Sequence, residues 1–303
     1  MKNMRAVAAG WRLPLDTEAG RSLQESDAPE SAVGSAPGSE AAPGPGGVVP
    51  AQAVLSAEVG MPVPAEISGP PAQTGIGIIC PFDMALDREL WRWMPDDVSL
   101  FFTRTPYVDE PVSVEMAQEV SDDADVRAAA RNLSIVRPQV MAYACTSGSF
   151  INGIAGARRL SETMVDGGAP RAVSTSEALL EALEYLDASR VVVVTPYVAE
   201  LTVRLGDFLQ EAGRSVVSQA CLGLQADIWQ VPYSTTCELI RAADVPEADA
   251  IFVSCTNLPT YDIIGPLEQE LGKPVISANQ VTAWASLRRL GRSAVGPGQR
   301  LLA

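Results

Sequence analysis

The chain of 303 residues contains no histidine. This absence excludes catalytic pairs and triads that use imidazole as the base, and the usual zinc sites built on imidazole. Lysine is almost as scarce: the two present are Lys2, near the N-terminus, and Lys273, in a Gly-Lys-Pro turn. A Schiff-base enzyme is therefore disfavoured. Acid–base chemistry near neutral pH is left to cysteine, to perturbed carboxylates or to tyrosine.

Long apolar runs are also lacking. No run approaches the roughly 20 residues needed to cross a bilayer, and residues 1–10 lack the apolar core of a signal peptide. The five cysteines are odd in number, widely spaced and without a Cys-x-x-Cys pair, which predicts neither a disulfide framework nor a zinc site. We therefore expect a cytoplasmic protein with reduced thiols. The net charge of −15 disfavours nucleic acid and anionic membranes as partners.

Residues 1–73 differ in composition from the rest of the chain. Ten of the 23 prolines fall here, among Gly, Ala and Ser. Such a segment cannot bury enough apolar surface to offset its ordering entropy. We predict a disordered N-terminal tail.

From Thr74 onward, short apolar stretches typical of strands alternate with helical stretches, which predicts an α/β protein with a mainly parallel sheet. The pattern occurs twice. Residues 77–82 (GIICPF) correspond to residues 192–197 (VVVTPY), and residues 140–147 (VMAYACTS) correspond to residues 250–257 (AIFVSCTN). The sequence therefore predicts two similar α/β units in succession.

Each unit carries one cysteine where an apolar strand ends, Cys145 in the first and Cys255 in the second. Ligands of parallel α/β sheets bind beyond the carboxyl ends of strands. Both cysteines precede hydroxyl or amide residues and then a predicted helix, whose N-terminus attracts a carboxylate and lowers a thiol pKa from about 8.5. We predict that these two cysteines form the active site. Cys221 and Cys237 are interpreted as structural, as is Cys80, which lies close enough to Pro81 to line a pocket wall.

Several motifs give the chain from about residue 74 to 290 a resemblance to a known group. They are Ala144–Phe150 (ACTSGSF), Thr195–Tyr197 (TPY), Ser254–Leu258 (SCTNL) and Gly272–Ser277 (GKPVIS). The sequence resembles the maleate isomerase and arylmalonate decarboxylase branch of the Asp/Glu racemase superfamily. Three further pieces are most similar to the ectoine-utilisation group of that branch: Pro81–Asp83 followed by Asp87–Glu89, Cys221–Leu224, and Asn279–Trp284.

The resemblance implies two Rossmann-like parallel-sheet domains related by a pseudo-twofold axis. Their expected bounds are 74–187, completed by 279–303, and 188–278. It also implies a site between the domains, no metal, no organic cofactor, a small carboxylate substrate and a homo-oligomer. The two cysteines would then isomerise or racemise the substrate, acting either as acid and base or as nucleophile. The reaction would be similar to that of maleate cis-trans isomerases or would belong to ectoine catabolism.

The same resemblance assigns four substrate-binding residues that donate to carboxylate or enediolate oxygens, Thr146, Ser147, Tyr197 and the backbone N–H of Thr256. Helix capping is an alternative for Thr146 and Ser147. Asp83 stands where maleate isomerases carry asparagine. An ionised Asp donates no hydrogen bond, so we expect it to disfavour a second carboxylate and to favour an amino or amido group. Its alternative role is to cap the next helix.

The sequence leaves two other functions as alternatives. One is a decarboxylase of the arylmalonate type, although in such enzymes a small residue replaces the first cysteine. The other is a non-catalytic protein that binds small carboxylates on the same scaffold.

Overall fold

The computed structural model describes residues 73–303, so almost all of the predicted tail lies outside the described residues. Eight parallel strands form two sheets of four. The first sheet contains β1 (Thr74–Cys80), β2 (Val98–Arg104), β3 (Val140–Tyr143) and β4 (Ala172–Ser174). The second contains β5 (Arg190–Thr195), β6 (Ser215–Cys221), β7 (Ala250–Val253) and β8 (Val275–Ser277).

Helices connect these strands, as parallel pairing requires. In chain order they are α1 (Asp87–Trp91), α2 (Val114–Glu119), α3 (Asp123–Ser134), α4 (Thr146–Phe150), α5 (Gly153–Asp166), α6 (Thr175–Tyr185), α7 (Ala199–Glu211), α8 (Tyr233–Ala243), α9 (Tyr261–Leu271) and α10 (Ala278–Arg288). Short 3-10 helices occupy Ile228–Gln230 and Arg300–Leu302. None of the helices described over 73–303 is long and apolar enough to cross a membrane.

The two sheets have the same strand order. It is β2-β1-β3-β4 in the first and β6-β5-β7-β8 in the second, so each strand has an equivalent four places along the chain. This confirms the predicted α/β class and the internal repeat. Strands β3 and β7 are equivalent, and every residue of both is buried. Such continuous apolar strands are typical of parallel sheets covered on both faces.

The equivalent strands β4 and β8 each end in a serine that caps the helix that follows. Ser174 ends β4 and caps α6 in a capping box with Glu177, and Ser277 ends β8 and caps α10 with Gln280. Helix α10 packs on α6, and the hydroxyls of Thr175 and Thr282 lie 2.8 Å apart. The end of the chain therefore lies against the first unit. The expected domain bounds stay predictions.

The structure corrects one local expectation. The helix predicted after Cys255 is present as α9, but it begins only at Tyr261, so the Cys255 thiol lies in a turn and not at the helix N-terminus. Cys145 does precede a helix, but that helix, α4, has five residues. Helix α2 was not predicted, because its six residues are too few to show a helical apolar period.

Candidate active site

Cys145 and Cys255 are each the second residue after a central strand, β3 and β7 respectively. Both side chains line one cavity beyond the carboxyl ends of the strands. The room left in this cavity is about 20 Å³, enough for about one water molecule. The other lining residues are Pro81, Asp83, Val112, Met116, Thr146, Ser147, Tyr197, Ile228, Thr256 and Asn257.

The Cys145 thiol lies at the N-terminus of α4. Its Sγ accepts a hydrogen bond from the backbone N–H of Gly148 at 3.4 Å and lies 3.6 Å from the Ser147 Oγ. Glycine is required at 148, because a Cβ there would collide with the hydroxyl of Tyr143. The N–H reaches the sulfur because Cys145 is the N-cap residue of α4.

Cys255 has an unusual backbone. Its φ of 88° lies in the region that favours glycine, and a non-glycine residue held there typically costs about 1–3 kcal/mol. The Cys255 Sγ accepts a hydrogen bond from the N–H of Asn257 at 3.4 Å. The turn therefore supplies a thiol with one backbone donor, as the helix does for Cys145.

Hydrogen bonds to the first unit hold this turn in place. The Thr256 hydroxyl donates to the carbonyl of Ala144 at 3.1 Å, next to Cys145. The Asn257 amide donates to the carbonyl of Asp83 at 3.0 Å and accepts from the N–H of Ala85 at 2.9 Å. Asn257 thus fixes both the Cys255 turn and the loop after β1.

The pKa values of the two thiols differ from the expectation. Burial raises the pKa of Cys145 to about 11 and that of Cys255 to about 12. The N–H donors of Gly148 and Asn257 act in the opposite direction, and the nearby Asp83 carboxylate adds to the rise. The prediction of lowered thiol pKa values was therefore wrong, because removal of both sulfurs from water outweighs the backbone donors.

Asp83 is half-buried at the cavity, and burial raises the pKa of its carboxyl group. It does not cap the next helix: the N-cap of α1 is Leu86, without a side-chain cap. Within residues 73–303, no Lys or Arg lines this cavity. The cavity wall therefore carries a carboxyl group with no cation from the described part of the chain facing it.

Three of the predicted binding residues that line the cavity carry hydroxyl groups, namely Thr146, Ser147 and Tyr197. The Thr146 Oγ1 is buried without a hydrogen-bond partner among the described residues. The Tyr197 hydroxyl accepts from the Ser254 Oγ at 3.3 Å, and burial raises its pKa well above the ordinary value, so Tyr197 is a neutral phenol that can donate. Ser147 lies beside Cys145. The structure brings all seven predicted residues to one cavity.

Comparison with known proteins places the chain in a family. The family profile described as arylmalonate decarboxylase matches residues 109–303. The chain belongs to the arylmalonate decarboxylase family. A maleate isomerase of Nocardia farcinica is 30% identical over 169 residues, which cover 53% of this chain and 67% of that protein. The arylmalonate decarboxylase of Bordetella bronchiseptica is 28% identical over 211 residues, 66% of this chain and 87% of that protein.

Solved structures of the family agree with this assignment. A liganded double mutant of arylmalonate decarboxylase matches with a TM-score of 0.70 at 28% identity, over 76% of this chain and 99% of that one. A second match is a cysteine-to-serine mutant of the Nocardia farcinica maleate cis-trans isomerase with a covalently bound succinylcysteine intermediate. Its TM-score is 0.69 at 26% identity, and the match covers 76% of this chain and 98% of that one. The resemblance to this branch is thereby confirmed.

Sequence reasoning missed part of the site of this family member. Val112, Met116 and Ile228 form an apolar wall, and the N–H of Val112 donates to the carbonyl of Gln225 at 2.8 Å, joining the two segments that carry it. No local pattern marks these residues. Asn257 could have been found, because it occupies the place of Ser147 in the repeat. Cys80 does not line the cavity as expected; its thiol donates to the Thr103 carbonyl at 3.3 Å.

Proposed function

We propose that this protein is a cofactor-independent isomerase or racemase of a small carboxylate, with Cys145 and Cys255 as its paired acid and base. The observation that carries the proposal is that two thiols from equivalent places of a repeat line one small cavity. Each has a backbone N–H donor that stabilises a thiolate. Relatives named maleate isomerase support isomerisation.

In the racemase form of the reaction, one cysteine acts as a thiolate and the other as a thiol. The thiolate takes the proton from the carbon next to the substrate carboxylate, and the electron pair of that C–H bond moves onto the carboxylate oxygens. The opposite thiol then gives its proton to the other face of the carbon. The two sulfurs end with exchanged protonation states, so the enzyme is ready for the reverse direction.

In the cis-trans form, a thiolate adds to one carbon of the double bond and the other thiol protonates its neighbour. Rotation about the new single bond and reversal of both steps give the trans product. The succinylcysteine intermediate described for the Nocardia farcinica enzyme has this composition. In both forms, charge grows on the substrate oxygens, and we assign Thr146, Ser147, Tyr197 and the Thr256 N–H to stabilise it.

Electrostatics restrict the substrate. A thiolate, a substrate carboxylate and an ionised Asp83 would place three negative charges in a cavity without a facing cation. A substrate that carries an ammonium group beside Asp83 offsets one of them and favours the thiolate, whose pKa burial has raised. We therefore propose amino-carboxylates, or amido-carboxylates that donate to Asp83, over dicarboxylates such as maleate. A role near ectoine breakdown is part of this proposal and rests on the sequence motifs alone.

Decarboxylation is the second candidate. The family profile bears that name, and Val112, Met116 and Ile228 form an apolar wall, which would destabilise a carboxylate about to leave as carbon dioxide. The two candidates differ in their use of sulfur. Isomerisation or racemisation needs both thiols, whereas a decarboxylase needs one proton donor.

The test is to follow candidate carboxylates by NMR with wild-type protein, Cys145→Ser and Cys255→Ser. Serine keeps the shape of cysteine but stays protonated near neutral pH. We expect each single variant to lose isomerisation or racemisation by at least about a hundredfold. Cys237→Ser, at a half-buried thiol outside the cavity, is the matched control and should keep full activity.

The remaining outcomes separate the candidates. If one variant keeps most of its turnover, the two-cysteine mechanism is wrong. Release of carbon dioxide that needs only one of the thiols would establish the decarboxylase. Binding of carboxylates without any conversion, unaffected by either substitution, would indicate a receptor.

A further inference from the structure

Glu89, on α1, is a buried carboxylate that lies outside the cavity lining. Its Oε2 accepts from the N–H of Thr260 at 3.0 Å, and its Oε1 accepts from the Thr260 hydroxyl at 3.0 Å and from the Asn279 amide at 3.2 Å. The Thr260 N–H and the Asn279 NH₂ group can only donate, and each of them faces a different oxygen of Glu89. The group is therefore matched to an acceptor-only carboxylate.

These bonds reach the Cys255 turn at both of its ends. Thr260 is the last residue before α9, so Glu89 holds the distal end directly. Asn279 also donates to the carbonyl of Thr256 at 2.9 Å, so Glu89 holds the proximal end through this amide. The segment between the two ends follows a cysteine whose φ is 88°.

The orientation of the Asn279 side-chain amide is determined by the two hydrogen bonds that it donates. Its Oδ1 is buried without a hydrogen-bond partner in the described part of the chain. Turning the amide over would place that oxygen against two acceptors, the Glu89 carboxylate and the Thr256 carbonyl. The side chain is thus fixed by its two donated bonds, at the expense of its own acceptor.

We propose that Glu89 is a positioning residue for the reaction at Cys255: its carboxylate keeps the turn of residues 255–260 in the strained conformation that aims the thiol into the cavity. Glutamine at 89 would turn an NH₂ group toward partners that are donors themselves. At least one bond of the set would then be lost. The turn could relax toward negative φ at Cys255, and the Asn257 N–H would leave the sulfur.

The test is the alkylation of Cys255 and Cys145 by iodoacetamide in the full-length chain, with both rates read from the same sample by mass spectrometry. Thiolate fraction and access control alkylation, and one unit of pKa changes the thiolate fraction about tenfold. In Glu89→Gln we expect the ratio of the Cys255 rate to the Cys145 rate to change by at least about fivefold. A lower ratio would mean that the Cys255 thiol has lost its N–H donor, and a higher ratio would mean that an opened turn has exposed it to the reagent. Either change would show that the Cys255 thiol has moved.

Glu268→Gln is the matched control. Glu268 is also buried, and its side chain accepts from the N–H groups of Val275 and Arg300 instead of from the Cys255 turn. This variant should keep the wild-type ratio within about twofold. Should Glu89→Gln fail to fold, Thr260→Val removes one of the three donors and should shift the ratio by at least about twofold.

An unchanged ratio in folded Glu89→Gln, or in Thr260→Val where the first variant does not fold, would overturn the proposal. So would an equal shift in Glu268→Gln, because the effect would then be general loosening. The experiment needs no substrate, so its failure and the failure of the proposed function can be told apart.

Discussion

Replacement of Asn257 by alanine is expected to destabilise the protein and to loosen the site at two places. Its buried amide connects the turn after β7 to the loop after β1 through the Asp83 carbonyl and the Ala85 N–H. Alanine removes both bonds. The Asp83 loop and the Cys255 turn would then lose their common anchor.

The size of the effect follows from these two bonds. Losing a hydrogen bond whose partner can turn to water costs about 0.5–1.5 kcal/mol, whereas losing one whose partner stays buried and unpaired costs about 1–3 kcal/mol. Ala85 is exposed, so water can pair its N–H, and only the Asp83 carbonyl carries a full penalty. We therefore expect a loss of about 2–4 kcal/mol in unfolding free energy. For an ordered region of this size, that corresponds to a fall of about 5–12 °C in melting temperature.

Urea denaturation followed by circular dichroism measures this change. Asn152→Ala is the control, because Asn152 is exposed and its side chain makes no cap bond at the start of α5; it should cost less than about 0.5 kcal/mol. A loss below about 1 kcal/mol in Asn257→Ala would refute the reasoning. The two bonds would then not hold the turn in solution.

Three further outcomes are expected. Burial raises the pKa values of Asp83, Glu89 and Glu268 in the folded state, so their contribution to stability is greatest below the ordinary carboxyl range and falls as pH rises through the raised values. The melting temperature should therefore decline as pH rises above the ordinary carboxyl range, and a rise over that interval would contradict this. Gly148→Ala should cost about 1–3 kcal/mol in urea denaturation, because its Cβ collides with the Tyr143 hydroxyl. Deletion of residues 1–70 should leave melting temperature and turnover nearly unchanged, and a large drop in either would show that their Pro- and Gly-rich composition was misread.

The sequence allowed the repeat and the paired cysteines to be predicted, because both rest on local patterns. Apolar runs of strand length mark β3 and β7, and the same Cys-Thr pair follows each. Because the strands are parallel, each cysteine is predicted at the ligand-binding end of its own sheet. That the two thiols meet at one cavity was implied only by the family resemblance, since β3 and β7 belong to different sheets.

What could not be predicted depends on contacts between distant segments. The thiol pKa values are raised by burial, and part of the wall that encloses the thiols comes from Val112, Met116 and Ile228, which no spacing relates to the cysteines. The turn that separates Cys255 from the start of α9 has a similar origin. This turn is held by Asn257 and by Glu89, which is 171 residues from the Thr260 that it binds.

The central claim is that the reaction needs both thiols, one as base and one as acid. In the racemase form, where they act on opposite faces of one carbon, solvent isotope incorporation tests this claim most directly. Wild-type protein is incubated in deuterated water with one enantiomer of a carboxylate that it racemises, and both enantiomers are analysed early in the reaction. Thiol protons exchange with solvent, so the account predicts deuterium at the reacting carbon of nearly every product molecule and protium in the remaining substrate. Equal deuterium in both enantiomers, or product that keeps the substrate proton, would contradict it.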